Sequence, residues 1–185
     1  KIFMLIIIAS FPIVLSGYLI AQSGIINDLR SLKIIGWTTV LFGILLYFSD
    51  KMENEKSLEI NLDIKAALII GFLHIFSLIP GVSRSGIAIT AARFLKFDRV
   101  NAAKISFLLS IPTLLAVSVF GIYNIYVTDN FDLIKLNFSS IILSFIFSYI
   151  TMVAFLGYIK KASLDVFVLY RIVLGVLILI FAYQG

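Results

Sequence analysis

The chain has 185 residues, 61% hydrophobic and only 14% charged, with a mean hydropathy of +1.10 and a net charge of +5. Soluble domains carry about 25% charged residues, so this composition defines a membrane protein. The absence of cysteine excludes a disulfide framework, a thiolate nucleophile and a Cys-ligated zinc. With no polar basic stripe, the excess of Lys and Arg reads as a topology signal and excludes a nucleic-acid footprint.

Crossing a bilayer takes about 20 apolar residues. Residues 2–21 form the first such run; its length, Pro12 and the lack of a small-x-small site argue against a signal peptide. Residues 33–49 form the second and shortest run. The mixed-charge stretch 49–65, "SDKMENEKSLEINLDIK", reads as a solvated connector. Block 66–95 behaves differently. Its first half, "AALIIGFLHIFSLI", stops at Pro80, and its second, "GIAITAARFL", is shorter still, so neither half crosses alone. Two short helices around a Gly/Ser tip predict a re-entrant hairpin, a form confined to sites surrounded by protein or a watery cavity. Asp98 is the expected N-cap of a helix beginning near Arg99. Residues 104–122, 139–159 and 166–183 complete the spans. "SFPIVL" (10–15) and "SIPTLL" (110–115) each predict a proline kink, with a nearby serine on the freed carbonyl. The expected fold is an all-α polytopic membrane protein, one domain over 1–185, with about five transmembrane helices and one re-entrant helix-loop-helix hairpin.

Basic residues orient this fold. With residue 1 cytoplasmic and 66–95 re-entrant, Lys1, Lys51, Lys56, Lys65, Arg93, Lys96, Arg99, Lys104, Lys160 and Lys161 share one side, against Arg30, Lys33 and Lys135 on the other. If 66–95 crossed instead, this largest basic group would be split. The C-terminus is then expected outside.

Arg84 and Arg171 lie within apolar segments. An Arg at a membrane helix centre costs roughly 2.5–3.5 kcal/mol on insertion scales, and no acidic residue lies between Asp63 and Asp98 to pair with Arg84 locally. The tip "PGVSRSG" (80–86) offers a reason for that cost. Pro80 stops the incoming helix, Gly81 and Gly86 permit a tight turn and close approach of a ligand, and Ser83 or Ser85 can cap the outgoing helix. The start of that helix carries partial positive charge, and a guanidinium beside it matches phosphate oxygens. Arg171 either clamps the same phosphate or pairs with Asp165. His74, the lone histidine, is a packing residue or an acid/base. Ser106 and Ser110 read as packing or kink residues near Pro112, and Thr90 with Ala88, Ala91 and Ala92 as a surface for close helix packing.

The heptapeptide "PGVSRSG", followed by "SFLLSIP" (106–112) and "YRIVLG" (170–175), resembles the second signature of the bacterial undecaprenyl-diphosphate phosphatases, the bacitracin-resistance family. The resemblance runs over essentially the whole chain. It implies six membrane helices and two re-entrant hairpins arranged as inverted repeats, in the bacterial inner membrane. It also implies hydrolysis of undecaprenyl diphosphate, recycling the peptidoglycan lipid carrier at a site open to the outer face. By the match, Ser83, Arg84 and Ser85 would be catalytic and bind the diphosphate, with Gly81, Gly86 and Arg171 beside the phosphates. The family's earlier signature, EGxTEFLPVSSTGH, has no counterpart in residues 1–70. The chain is therefore expected to be the C-terminal two-thirds of such an enzyme, lacking one hairpin and one span, with its activity as it stands left open. The ligands of the implied Mg2+ or Ca2+ would lie in that missing part, with none in this chain. His74 stands where the family commonly has Gln. Expected partners are a polyprenyl diphosphate and the bilayer, with homodimerisation left open.

Two other classes compete. A phosphatidic-acid-phosphatase-type enzyme requires SRx5H, but Thr90 occupies the histidine position. A transporter or flippase for an anionic or lipid-phosphate substrate would also aim broken-helix N-termini at its ligand; phosphate release without a gradient separates it from a hydrolase. A purely structural subunit gives no reason for Arg84 in a Gly/Ser tip.

Overall fold

The computed structural model describes residues 1–23, 29–53, 56–127 and 133–184. The chain folds as helices α1 (Ile2–Ser23), α2 (Leu32–Asp50), the single turn α3 (Leu58–Asn61), α4 (Ile64–His74), a 3-10 turn (Ile75–Leu78), α5 (Arg84–Phe94), α6 (Arg99–Val127), α7 (Leu133–Ile159) and α8 (Asp165–Gln184). Helices α1, α2, α6, α7 and α8 are long and apolar enough to cross a membrane, and they fall on the five predicted runs. The protein is thus an all-α, multi-pass membrane protein. Helices α4 and α5, of 11 residues each, pack against one another as a hairpin.

Small residues set the packing. Helix α2 lies along α8, where a Cβ on Gly36 would come 2.7 Å from the Leu179 side chain and one on Gly175 2.6 Å from Val40 Cγ2. Backbones can approach this closely only without side chains, the usual route to helix association in lipid. Gly71 of α4 works similarly against α1, since a Cβ there would overlap the Ala9 carbonyl. Ala88, Ala91 and Ala92 of α5 and Ala102 and Ala103 of α6 are at most 1% exposed, as the sequence predicts for a close-packing face. Thr90 turns inward to its own helix, donating to the Gly86 carbonyl at 2.8 Å. Helix α7 touches α6 lightly, and none of its apolar window is buried among the described residues.

The basic end of the fold is locked by one carboxylate. Asp50, the last residue of α2, accepts from Arg99 Nε at 2.8 Å and Nη2 at 2.9 Å through its two oxygens, and from the Leu164 backbone N–H at 3.1 Å. Arg93 Nε lies 3.5 Å from the same carboxylate, and both of these side chains are fully buried. Arg93 also donates to the carbonyls of Phe97 (3.0 Å), Asp50 (2.7 Å) and Met52 (3.2 Å). The C-termini of α2 and α5 and the N-termini of α6 and α8 therefore meet at one point. This corrects in part the reading of 49–65 as a solvated connector: Ser49, Asp50, Leu58 and Leu62 are buried, while Lys51, Met52, Glu53, Glu59, Ile60, Asn61 and 63–65 are exposed and residues 54–55 lie outside the described residues.

Asp98 caps α6 as expected, its Oδ1 accepting from Asn101 N–H at 2.8 Å. The expectation for the proline kinks is corrected. Pro12 and Pro112 leave the Ile8 and Leu108 carbonyls without their helical partner. Yet Ser10 donates to Ile6 O at 2.8 Å and Ser110 to Phe107 O at 2.6 Å. A serine hydroxyl reaches back three or four residues, and from positions 10 and 110 that passes the freed carbonyl by two residues and by one.

Candidate functional site

Helix α4 begins under an Asp63 cap, whose Oδ1 accepts from Ala66 N–H at 2.7 Å. It tightens into the 3-10 turn and stops at Ile79, extended at φ −80°, ψ 125°, as the residue before a proline must be. Gly81 then takes φ +90°, a conformation that a side chain resists; a Cβ there would also overlap the Thr38 hydroxyl. Ser83 is extended, and its Oγ accepts from Gly86 N–H at 3.1 Å. Of the two serines proposed as caps, Ser83 is therefore the one that closes α5. The exposed Ser85 brings its Oγ to 3.3 Å from that of Ser83.

Neighbouring helices grip the tip by its backbone. Thr38 Oγ1 lies 2.7 Å from the Pro80 carbonyl, and Thr39 Oγ1 lies 3.3 Å from that of Gly81. Ser106 Oγ of α6 donates to Ser85 O at 3.3 Å, so Ser106 supports the tip rather than the Pro112 kink. Arg171 Nη2 of α8 donates to Gly81 O at 3.1 Å. The tip carbonyls are thus occupied, and the free N–H groups of the α5 first turn remain to receive an anion.

Arg84 is the first residue of α5, half-buried, and makes no hydrogen bond or ion pair among the described residues. His74 is 1% exposed, with neither ring nitrogen bonded among the described residues, and it lies near enough for the Arg84 charge to act on it. Arg171 is 8% exposed and its Nε is unpartnered. The alternative pairing of Arg171 with Asp165 is not formed: Asp165 takes a hydrogen bond from Ser163 at 2.7 Å and faces Lys51 at 3.8 Å. A cavity of about 580 Å3 opens beside the tip, with Ser83, Ser85 and Arg171 at its polar end and Phe155, Phe167 and Tyr170 among its apolar walls. Arg84 is not part of its lining. Ser83, Ser85, Gly86 and Arg171 meet there, and His74, like Arg84, is not in that lining.

Sequence reasoning missed Thr38 and Thr39, while Ser106 takes the packing role of the two read for it. Two adjacent threonines in the middle of the shortest span were the available signal. Their hydroxyls also reach carbonyls of their own helix, Thr38 that of Ile34 at 2.8 Å and Thr39 that of Ile35 at 2.7 Å, so they bridge α2 and the tip.

These features define the class: an integral membrane protein whose short hairpin carries a guanidinium and a free helix N-terminus inside the apolar layer, an arrangement able to hold an anion. Residues 1–177 match the family model for "Bacitracin resistance protein BacA". Proteins named undecaprenyl-diphosphatase are similar along the chain. That of Pelagibacter ubique is 49% identical over 185 residues, covering 100% of this chain and 72% of that protein. That of Jannaschia sp. is 36% identical, covering 99% and 68%, and that of Roseobacter denitrificans is 34% identical, covering 97% and 67%. The chain belongs to the BacA family.

Proposed function

We propose that the chain acts on undecaprenyl diphosphate, hydrolysing it to the monophosphate and inorganic phosphate and so returning the lipid carrier of peptidoglycan synthesis to use. The observation that carries this reading is Arg84: a guanidinium without a protein partner among the described residues, held at the capped start of α5 within an apolar segment. A permanent charge is retained there because the ligand brings the opposite one.

Water attacks the terminal phosphorus in line, the bond from that phosphorus to the bridging oxygen breaks, and the bridging oxygen leaves with the electron pair on the lipid monophosphate. Arg84 and the α5 N–H groups offset negative charge on the transferred phosphoryl group. Ser85 Oγ, and the Ser83 proton left over from capping, add donors on the Arg171 side of the same helix start. No group of three or more His, Asp or Glu side chains comes together among the described residues, and Asp50 is already taken up by two arginines. The described residues therefore do not fit the divalent cation expected from the resemblance, and no step is routed through one.

The depth of the tip supports a site opening to the outer face of the bacterial inner membrane. Thr38, which contacts Pro80, lies six residues from the start of α2 and Asp50 twelve residues further on, roughly 9 Å and 18 Å at 1.5 Å per residue. The tip is thus nearer the end of α2 remote from Lys51, Arg93 and Arg99, and basic residues mark the cytoplasmic side.

Phosphate release from undecaprenyl diphosphate in detergent, where no gradient exists, tests the reading. Turnover by the protein, reduced at least about 100-fold in Arg84→Ala, is the expected result. Activity of Arg84→Ala within a few-fold of the unaltered protein would remove the phosphate role of Arg84. Substrate binding without phosphate release would favour transport.

A further inference from the structure

Arg84 and Gly86 are two residues apart on α5, which places them about 200° apart around the helix. The Gly86 face looks at Arg171: a Cβ on Gly86 would come 3.2 Å from Arg171 Nη1. Arg84, by contrast, does not line the cavity beside the tip. Two cations therefore flank one helix start from different sides, instead of converging on a single point.

The two sides differ in what lies beyond the cation. On the Arg171 side is the cavity of about 580 Å3, whose walls away from the tip are mainly apolar and include the aromatic rings of Phe147, Phe155, Phe167 and Tyr170, with Ser148 and Thr151 of α7 among them. That volume is within the range of about 300–1,000 Å3 typical of small-ligand sites. Helix α7, which forms one wall, buries none of its apolar window among the described residues, so the cavity is closed on that side by a single apolar helix. Arg171 is more than nine-tenths buried, one of its donors is spent on Gly81 O, and its Nε has no partner among the described residues. An unpaired donor on a buried cation at the polar end of an apolar cavity matches an amphiphile with an anionic head.

Resting on the proposed function, we propose that the two phosphates of the substrate are divided between the two arginines. Arg171 holds the phosphate esterified to the lipid, and the cavity between the tip, α7 and α8 holds the first isoprene units attached to it. Arg84, across the helix start, faces the terminal phosphoryl group that leaves. The remainder of the chain passes beside α7 into the bilayer. The product monophosphate keeps the Arg171 site after hydrolysis, so Arg171 is a binding residue for product as well as substrate.

The test is photolabelling of the full chain in detergent with a polyprenyl monophosphate carrying a diazirine in its first isoprene unit. It needs no turnover, so it can succeed even if phosphate release fails. Expected adducts fall on Phe147, Phe155, Phe167 or Tyr170. Excess undecaprenyl phosphate should suppress them, and phosphatidylglycerol should not. Arg171→Gln should cut labelling about tenfold and Arg171→Lys less, while Arg84→Gln should leave it within about twofold. Adducts confined to α1 or α4 in the unaltered protein would overturn the proposal, whatever the variants do. Equal labelling by the phosphate-free polyprenol, full competition by phosphatidylglycerol, or a loss in Arg84→Gln matching that in Arg171→Gln would overturn it as well.

Discussion

Ser83 has one hydroxyl and two neighbours that can use it. Its lone pair closes α5 through Gly86 N–H, and its proton is left to a ligand or to Ser85. These uses can be separated. An aspartate also caps well, but brings a negative charge to a phosphate site. Ser83→Asp should therefore unfold within about 0.5 kcal/mol of the unaltered protein in a denaturant titration in micelles, yet release little phosphate. Ser83→Ala should cost about 1 kcal/mol of stability as well. At this scale the sequence was most informative around Pro80, where residue types restrict the backbone directly. It left open which serine caps and where Arg171 points. Both depend on the angle at which α8 passes the tip, and no local pattern encodes that angle.

Helix α5 is held at both of its ends, by backbone hydrogen bonds at the tip and by Asp50 at the base. The base is the more demanding site. Removing the carboxylate leaves Arg93, which is fully buried, and Arg99 without their counter-charge, and breaking a buried pair from one side typically costs about 3–5 kcal/mol. Asp50→Ala should lower unfolding stability by that order and abolish phosphate release through loss of the hairpin's placement. A destabilisation below about 1 kcal/mol would show that the cluster is not a lock. The hairpin itself was legible, because two apolar halves too short to cross leave few alternatives. The lock was not: Asp50 lies 43 residues from Arg93 and 49 from Arg99 in the chain. Locally it stands among Lys51 and Glu53, where it reads as one more charge in a solvated run.

Over the whole molecule, hydropathy located every span, because the bilayer sets the length of a helix irrespective of its neighbours. It could not say which helices touch. That choice rests on glycines, above all Gly36 and Gly175 where α2 meets α8. Gly175→Leu should force this crossing apart at a cost of about 1–3 kcal/mol. It should also weaken phosphate release, because Arg171, one turn before Gly175 on α8, would withdraw from the tip. Gly157 of α7 has no atom within 4 Å of its would-be Cβ, so Gly157→Leu should leave unfolding in micelles unchanged.

Helix α2 touches α5 at two stations, Thr38 against the tip and Asp50 against Arg93. Those stations are 12 residues apart, about 18 Å of helix, while α5 is itself about 16 Å long. The two helices run in the same direction, so the stretch of α2 from Thr38 to Asp50 is a splint about as long as the segment it supports. A splinted helix can neither slide nor pivot alone. Any breathing that admits a lipid must then come from the loosely attached α7, with the anion cradle staying rigid while one wall of its vestibule moves.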